Sequence, residues 1–170
     1  MKLKSNLISI LFFICIFTSC LPIKNDTPER LGENVFESIK GNNYEKFKNC
    51  FITKVDLLDL LEISTYNTEQ KKTYLAESEE KLKKLLSEMN TAFENLKNDG
   101  ISAGIEWNDA LFQNVEYEIK SLHNIKRAEI NLNFQYKGLP FSINLGKCYE
   151  VKNRWVMISP PKFDNGNNDI

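Results

Sequence analysis

The sequence is poor in the residues that most catalytic sites need. It contains one histidine, His123, which lies between two predicted strands in Leu122-His123-Asn124. A metal centre needs several converging ligands, and a serine nucleophile needs a base with an orienting acid. The sequence also lacks a glycine-rich phosphate loop. We therefore interpret His123 as a surface-turn residue and expect no catalytic residue, no metal site and no cofactor.

Positive charge is also scarce. The chain has 22 Lys and Arg residues against 23 Asp and Glu, and the lysine clusters at 71–72 and 81–84 lie among glutamates. Loss of residues 1–19 would remove Lys2 and Lys4, which leaves 20 basic against 23 acidic residues and a formal charge of −3. A nucleic-acid binder needs a concentrated positive face. The composition therefore argues against nucleic acid as a partner.

No apolar run is long enough to cross a membrane. The longest extends over residues 7–17, with Ser9 as its one polar residue, and it follows the basic start Met1-Lys2-Leu3-Lys4. A transmembrane helix needs about 20 apolar residues. A basic start, a short apolar run and small residues at its end are typical of a secretory signal peptide. We assign residues 1–19 to such a signal.

The end of this segment, Phe17-Thr18-Ser19-Cys20, resembles the lipobox of bacterial lipoproteins, although an aliphatic residue is more usual at Phe17. The resemblance implies that Cys20 receives a diacylglycerol through its sulfur and anchors the protein to an envelope membrane. Residues 20–27 would then be the lipidated cysteine and a tether. Leu21, in place of the aspartate that marks inner-membrane retention, favours the outer membrane. The alternative is an ordinary cleavage site with an incidental cysteine.

Two of the four cysteines remain once the signal peptide and the lipobox are set aside. Cys50 falls on the apolar stripe of a predicted helix, whereas Cys148 shares the phase of Ser142 and Asn144, which face solvent in the predicted strand. Sulfurs on opposite sides of a sheet cannot reach disulfide distance. We predict that the two do not pair, with the alternative that a bulge at Gly146 reverses the phase.

Helices are predicted in the first half of the mature chain. Thr27-Pro28 is a typical helix start and Gly41 a typical end. A short helix follows, Thr53 caps a third, and a long helix begins near Thr68 and ends before Gly100. The buried stripe predicted for the long helix consists of Leu82, Leu86, Met89, Phe93 and Leu96.

The second half changes to a two-residue period, which indicates antiparallel strands with one buried face. The predicted inward positions are Val115, Tyr117, Ile119, Ala128, Ile130, Leu132, Phe134, Tyr136, Phe141, Ile143, Leu145, Tyr149 and Val151. A last short strand ends at Pro160-Pro161. Residues 28–162 are therefore expected to form one α+β domain, with helices packed on one face of a curved antiparallel meander of about four strands. Residues 163–170 are expected to be a disordered tail.

This arrangement resembles the NTF2-like, or cystatin-like, cone. The likeness rests on the early helix pair around Gly41-Asn42-Asn43, the Lys137-Gly138 hairpin and the ending at residues 148–155. It implies that the N-terminal helices lie in the concavity of a long-stranded sheet. Enzymes of that fold place acidic or histidine side chains on the inner face, and none of the inward positions predicted here is acidic.

Four aromatic residues are the candidates for ligand binding. Trp107 lies in the segment that connects helices to strands, and loops carry function more often than cores do. Its alternative role is to cover the end of the sheet. Tyr117, Tyr136 and Tyr149 occupy predicted inward positions and offer hydroxyl groups, although buried tyrosines usually just satisfy a hydrogen bond.

Three functions are compatible with these patterns. The first is a non-catalytic, lipid-anchored envelope protein that acts as a binding or accessory module. The second is a carrier that holds an apolar small molecule in the cone. The third is an enzyme that uses tyrosines or loop acids in an unrecognised pocket. The absence of a catalytic motif in the sequence favours the first.

Overall fold

The computed structural model describes residues 24–164, so the predictions for the signal peptide, the lipobox and Cys20 lie outside the described residues. The elements are α1 Pro28–Lys40, α2 Tyr44–Lys48, α3 Lys54–Ile63, α4 Thr68–Ser102, a 3-10 turn Trp107–Asp109, β1 Leu111–Leu122, β2 Ile125–Tyr136, β3 Leu139–Val151, β4 Arg154–Met157 and β5 Lys162–Asp164. Helices precede an antiparallel sheet, as predicted. The α+β fold class is confirmed.

Side-chain caps start the helices at the predicted positions. The Thr27 hydroxyl accepts a hydrogen bond from the amide of Arg30, and Thr53 forms a reciprocal capping box with Asp56. Each cap satisfies a backbone N–H that has no partner within its helix and contributes about 1 kcal/mol. The local sequence is therefore sufficient to place these helix starts.

The sheet is built from three tight hairpins. Its strand order is β1-β2-β3-β4, all antiparallel, and β5 pairs with β3 beside β4. Each hairpin turn has two residues with positive φ: His123-Asn124, Lys137-Gly138 and Lys152-Asn153. Positive φ at both positions is the type I′ geometry, whose twist matches that of the strands it joins. The predicted surface turn at His123 is confirmed.

The first face of the sheet, which carries Ile130, Leu132 and Phe134, packs against α1. The ring of Phe36 in α1 lies 5.6 Å from Phe134 and 5.8 Å from Phe112, measured between centroids. All three β2 residues are almost completely buried. Side chains of α1 and β2 therefore pack against each other on this face of the sheet.

The prediction for the end of β3 is wrong, because β3 contains a bulge. Ile130 pairs with Gly146 but Asn131 pairs with Asn144, so β3 has one extra residue between them. Gly146 has φ +67°, a conformation that glycine adopts readily. One extra residue moves every later side chain to the other face. Cys148 therefore lies on the first face and is buried, not exposed to solvent.

The same bulge places Tyr149 and Val151 on the second face of the sheet, against the prediction. Tyr149 pairs with Arg127, and cross-strand partners share a face. Arg127 alternates with Ala128 and Ile130, which point to the first face. The second face is therefore apolar near this end of the sheet. Another element must pack on it to shield these side chains from water.

Helix α4 is longer than predicted and presents a partly different stripe. It continues through Gly100 to Ser102, and its 35 residues span about 52 Å. Gly100 lies inside the helix because the indole of Trp107 packs directly against it. Leu85 is buried, whereas Leu86 is exposed, so the predicted stripe is wrong at Leu86.

Two segments before α3 close the outer edge of β4. The carbonyl of Asn25 accepts the amide of Trp155 at 2.6 Å. Met157 donates to the Cys50 carbonyl and accepts the amide of Ile52, both at 2.9 Å. Asn25 is itself buried. The ordered domain therefore begins before Pro28, and the predicted tether loses at least residues 25–27.

The other boundary also differs from the prediction. The disordered tail was expected from residue 163, but Phe163 lies in β5 and pairs with Ile143. Its ring lies 6.1 Å from Phe141 and 6.4 Å from Phe134. Packing of the Phe163 ring against the core stabilises the ordered conformation of β5. The domain extends to at least Asp164.

Candidate functional site

A cleft opens between the hairpin of α3 and α4 and the second face of the sheet. Its volume is about 260 Å³. It is lined by Ile52, Leu57, Leu60, Leu61, Tyr66, Tyr74, Ser78, Lys81, Leu82, Leu85, Ile125, Tyr149 and Ile158. Most of the lining is apolar, with a few polar groups, which is the usual composition of a small-molecule site.

The sequence of α3 directs one side of the helix into this cleft. Leu57, Leu60 and Leu61 follow each other at steps of three and one, which places them on one side of the helix. Asp56 and Asp59 pair with Arg154 at 2.9 Å and Lys152 at 2.7 Å, respectively. These ion pairs hold α3 to the β3–β4 hairpin, and the leucines form the apolar wall.

Aromatic residues form one end of the cleft. The ring of Tyr66 lies 4.6 Å from that of Tyr74 and 4.6 Å from that of His123, between centroids. Thr65 secures this end, because its amide donates to the His123 carbonyl at 3.2 Å. Burial raises the pKa of Tyr66, and the adjacent Tyr74 and Tyr149 raise it further. The Tyr66 phenol is therefore a neutral hydroxyl at physiological pH.

Positive charge borders the same cleft. Ser78 and Lys81 are three residues apart in α4, one turn beyond Tyr74, so all three lie along one side of the helix. Arg127 on the second face lies close enough to Tyr66 to oppose the rise of its pKa. Neither Lys81 nor Arg127 belongs to an ion pair between the described residues.

Of the four predicted binding residues, the structure brings only Tyr149 to the cleft. Trp107 is 8% exposed and donates to the carbonyl of Lys97 at 3.0 Å, so its ring is core and not a surface loop residue. Tyr136 is buried. Tyr117, predicted to point inward, is 38% exposed and donates to Glu29.

Sequence reasoning missed Tyr66, Tyr74 and Lys81. The first half of α4 is so rich in Glu, Lys and Gln that it indicates a solvated helix. A weak signal was present, since Tyr74, Ser78 and Leu82 repeat at steps of four. This repeat indicates a site only together with Tyr149, which the bulge in β3 places on the face of the sheet next to the helix.

The two cysteines of the domain are both free and buried. Met157 pairs with Cys148 on one side and bridges Phe51 on the other, so β4 lies between the cysteine segments. Two strand spacings amount to about 9.5 Å, which exceeds disulfide reach. The prediction of no disulfide is confirmed, but for this reason and not because the sulfurs face opposite sides. Burial raises the pKa of Cys50 to about 12, which makes it an inert thiol.

Within residues 24–164, no three His, Cys, Asp or Glu side chains lie close enough together to hold a metal ion. No helix in that part of the chain is both long and apolar enough to span a bilayer. No protein-family model, curated protein or solved structure matches the chain. The cleft is therefore the feature on which a function can be argued.

Proposed function

We propose that the protein is a lipid-anchored bacterial envelope protein that works as a non-catalytic binding module, with the α3–α4 cleft as its ligand site. The cleft carries this proposal, because it is open to solvent and lined mostly by apolar side chains, whereas the residues between α1 and the first face pack together as buried core. The ligand site thus differs from the cone interior that a carrier of the NTF2-like type would use. The proposed likeness to the NTF2-like fold rests on α1, α2 and the long β2–β3 hairpin.

The anchoring half of the proposal rests on the lipobox resemblance at Cys20. Asn34 donates to the side-chain oxygen of Asn25 at 2.8 Å and to the Lys24 carbonyl at 3.1 Å, so the chain is fixed to the domain from Lys24 onward. From Cys20 to Asn25 is five residue steps, which reach at most about 18 Å. A lipid on Cys20 would therefore keep the domain close to the bilayer surface, on an outer membrane if Leu21 acts as in enteric sorting.

We expect Cys20→Ser to release the protein from membranes or leave it unprocessed. Stable anchoring needs more than one acyl chain, and a serine cannot accept the thioether-linked diacylglycerol. Membrane fractionation and intact mass of the native protein measure the effect: wild type should lose residues 1–19 and gain diacylglycerol mass. Cys15→Ser, five residues earlier in the proposed signal, is the matched control and should stay anchored. Wild type that is cleaved without gaining lipid would show a secreted, unanchored protein.

The binding half predicts that an eight-carbon apolar molecule enters the cleft. A volume of about 260 Å³ lies near the lower end of the range of about 300–1,000 Å³ that is usual for small-molecule sites, so a short apolar chain is the suitable probe. Titration with methyl octanoate should shift the backbone amide resonances of α3 and of the first half of α4. Amides of α1, on the opposite face, are the internal control. Shifts spread evenly over both faces, or none at all, would contradict a ligand site in the cleft.

A further inference from the structure

We propose that the ligand of the α3–α4 cleft is a single-chain amphiphile with an anionic head group, such as a medium-chain fatty acid. The proposal rests on the cleft being a ligand site, as inferred above. Leucine and isoleucine side chains would hold the chain, and Lys81 with the tyrosine hydroxyls would bind the head group.

The apolar part of the argument is the shape of the lining. Leu57, Leu60 and Leu61 of α3 face Leu82 and Leu85 of α4 across the cleft. Side chains of this kind offer no hydrogen bonds, so the ligand body that they accept must be apolar. The volume of about 260 Å³ is small for a ligand site, which favours a short chain over a long one.

The polar part of the argument is the charge at the border. Lys81 is exposed and lines the cleft, and it belongs to no ion pair between the described residues. Arg127 adds positive charge on the same face of the sheet, because it is the cross-strand partner of the cleft residue Tyr149. A head group in contact with Lys81 and with neutral phenol and serine hydroxyls is best satisfied as an acceptor with negative charge, that is, a carboxylate or a phosphate.

Rings alone would point to another ligand. Tyr66, Tyr74 and Tyr149 line one cleft, and aromatic faces can hold a quaternary ammonium group. The ammonium of Lys81 and the guanidinium of Arg127 oppose a second cation there. An anionic head group is therefore favoured by the charges, and a cationic one becomes an outcome of the test.

The experiment compares octanoate, methyl octanoate and octyltrimethylammonium, which share a chain and differ in head-group charge. The full mature chain is produced without lipid, so that no detergent competes for the cleft, and dissociation constants are measured by calorimetry or amide shifts. Octanoate should bind about three- to fivefold more tightly than the ester, the size of a partly exposed ion pair. Lys81→Met should remove this preference, so that octanoate and the ester bind the variant with equal affinity.

The matched control is Lys83→Met, the same change of charge two residues along the same helix, where the side chain does not line the cleft. It should keep the preference for octanoate. Equal affinities for octanoate and the ester, a preference that survives Lys81→Met, or tighter binding of the ammonium compound would overturn the anionic head group while the cleft stands as a site. If none of the three compounds binds, the ligand site itself is wrong. Octyl phosphate in place of octanoate separates the two anionic classes.

Discussion

Phe134→Ala should destabilise the domain by about 3–5 kcal/mol, the range for removing a buried phenylalanine ring. Phe134 is 1% exposed and lies at the centre of an aromatic cluster. Its centroid lies 5.4 Å from Trp107, 5.6 Å from Phe36 and 5.7 Å from Phe141. These rings belong to different elements, and neighbours held from several directions cannot all move into the vacated space. The cavity term therefore adds to the lost transfer free energy.

Chemical denaturation monitored by circular dichroism measures this loss. Phe163→Ala is the control, because its ring joins the same cluster from β5 but is only partly buried, and it should cost clearly less. A domain of this size has a stability of about 5–15 kcal/mol, so Phe134→Ala removes a large part of it and a milder variant is needed beside it. Phe134→Leu, which keeps most of the volume, should fold and lose less. A loss below about 1 kcal/mol for Phe134→Ala would show that the cluster is not the core.

Gly100→Ala should destabilise the protein by about 1–3 kcal/mol, although alanine normally stabilises the middle of a helix relative to glycine by about 0.5–1 kcal/mol. The sign reverses because a Cβ at position 100 would overlap the six-membered ring of Trp107. That indole is held by its hydrogen bond to the Lys97 carbonyl and by contact with Phe134, so it cannot move away without loss. The clash therefore outweighs the gain in helix propensity.

A double-mutant cycle with Trp107→Leu isolates this contact. The leucine background lacks the ring that Cβ would strike, so Gly100→Ala should there be neutral or stabilising by up to about 1 kcal/mol. Free energies of unfolding of the four proteins give the coupling directly. If Gly100→Ala destabilises both backgrounds equally, a clash with the indole of Trp107 is not the cause, and the predicted contact is wrong.

Local signals in the sequence were sufficient to place the starts of α1 and α3 and the alternation of β2. Thr27-Pro28 and Thr53 start helices because short polar side chains satisfy free amides nearby, and no distant residue is needed. The alternation in β2 survives intact, with Ala128 to Tyr136 buried at every second position. Both signals act over a few residues, which is why they can be recognised without the tertiary structure.

The bulge in β3 is the alternative that the sequence left open at Gly146, and alternation alone could not decide in its favour. The residue types of Leu145 and Gly146 are compatible with a regular strand. The extra residue is visible only in the pairing of β3 with Ile130 and Asn131. The bulge is held locally, because the side-chain oxygen of Asn144 accepts the amide of Gly146 at 2.8 Å. The preferred prediction of a strand without a bulge put all later residues of β3 on the wrong face. As a result it did not place Tyr149 at the candidate site.

The exposure of β1 also depended on tertiary structure. Tyr117 and Ile119 keep the predicted phase but are 38% and 47% exposed, because α1 begins only at Pro28 and covers β1 near Val115. A Cβ on Gly32 would lie 2.5 Å from a methyl of Val115, so helix and strand are closest there. Periodicity shows which side chains share a face, whereas the length of the covering helix decides which of them are buried.

The two edges of the sheet, at β1 and at β4, are protected from pairing with other chains in different ways. Unpaired strand edges are templates on which other chains can add and form aggregates. At β4, backbone from Asn25 and Cys50 occupies those hydrogen-bonding groups. At β1, the strand is irregular between Phe112 and Asn114 and carries Glu116, Glu118 and Lys120. A neighbouring chain would have to bury these charges in order to pair with β1. Charge and an irregular register therefore protect the β1 edge, and backbone hydrogen bonds within the chain protect the β4 edge.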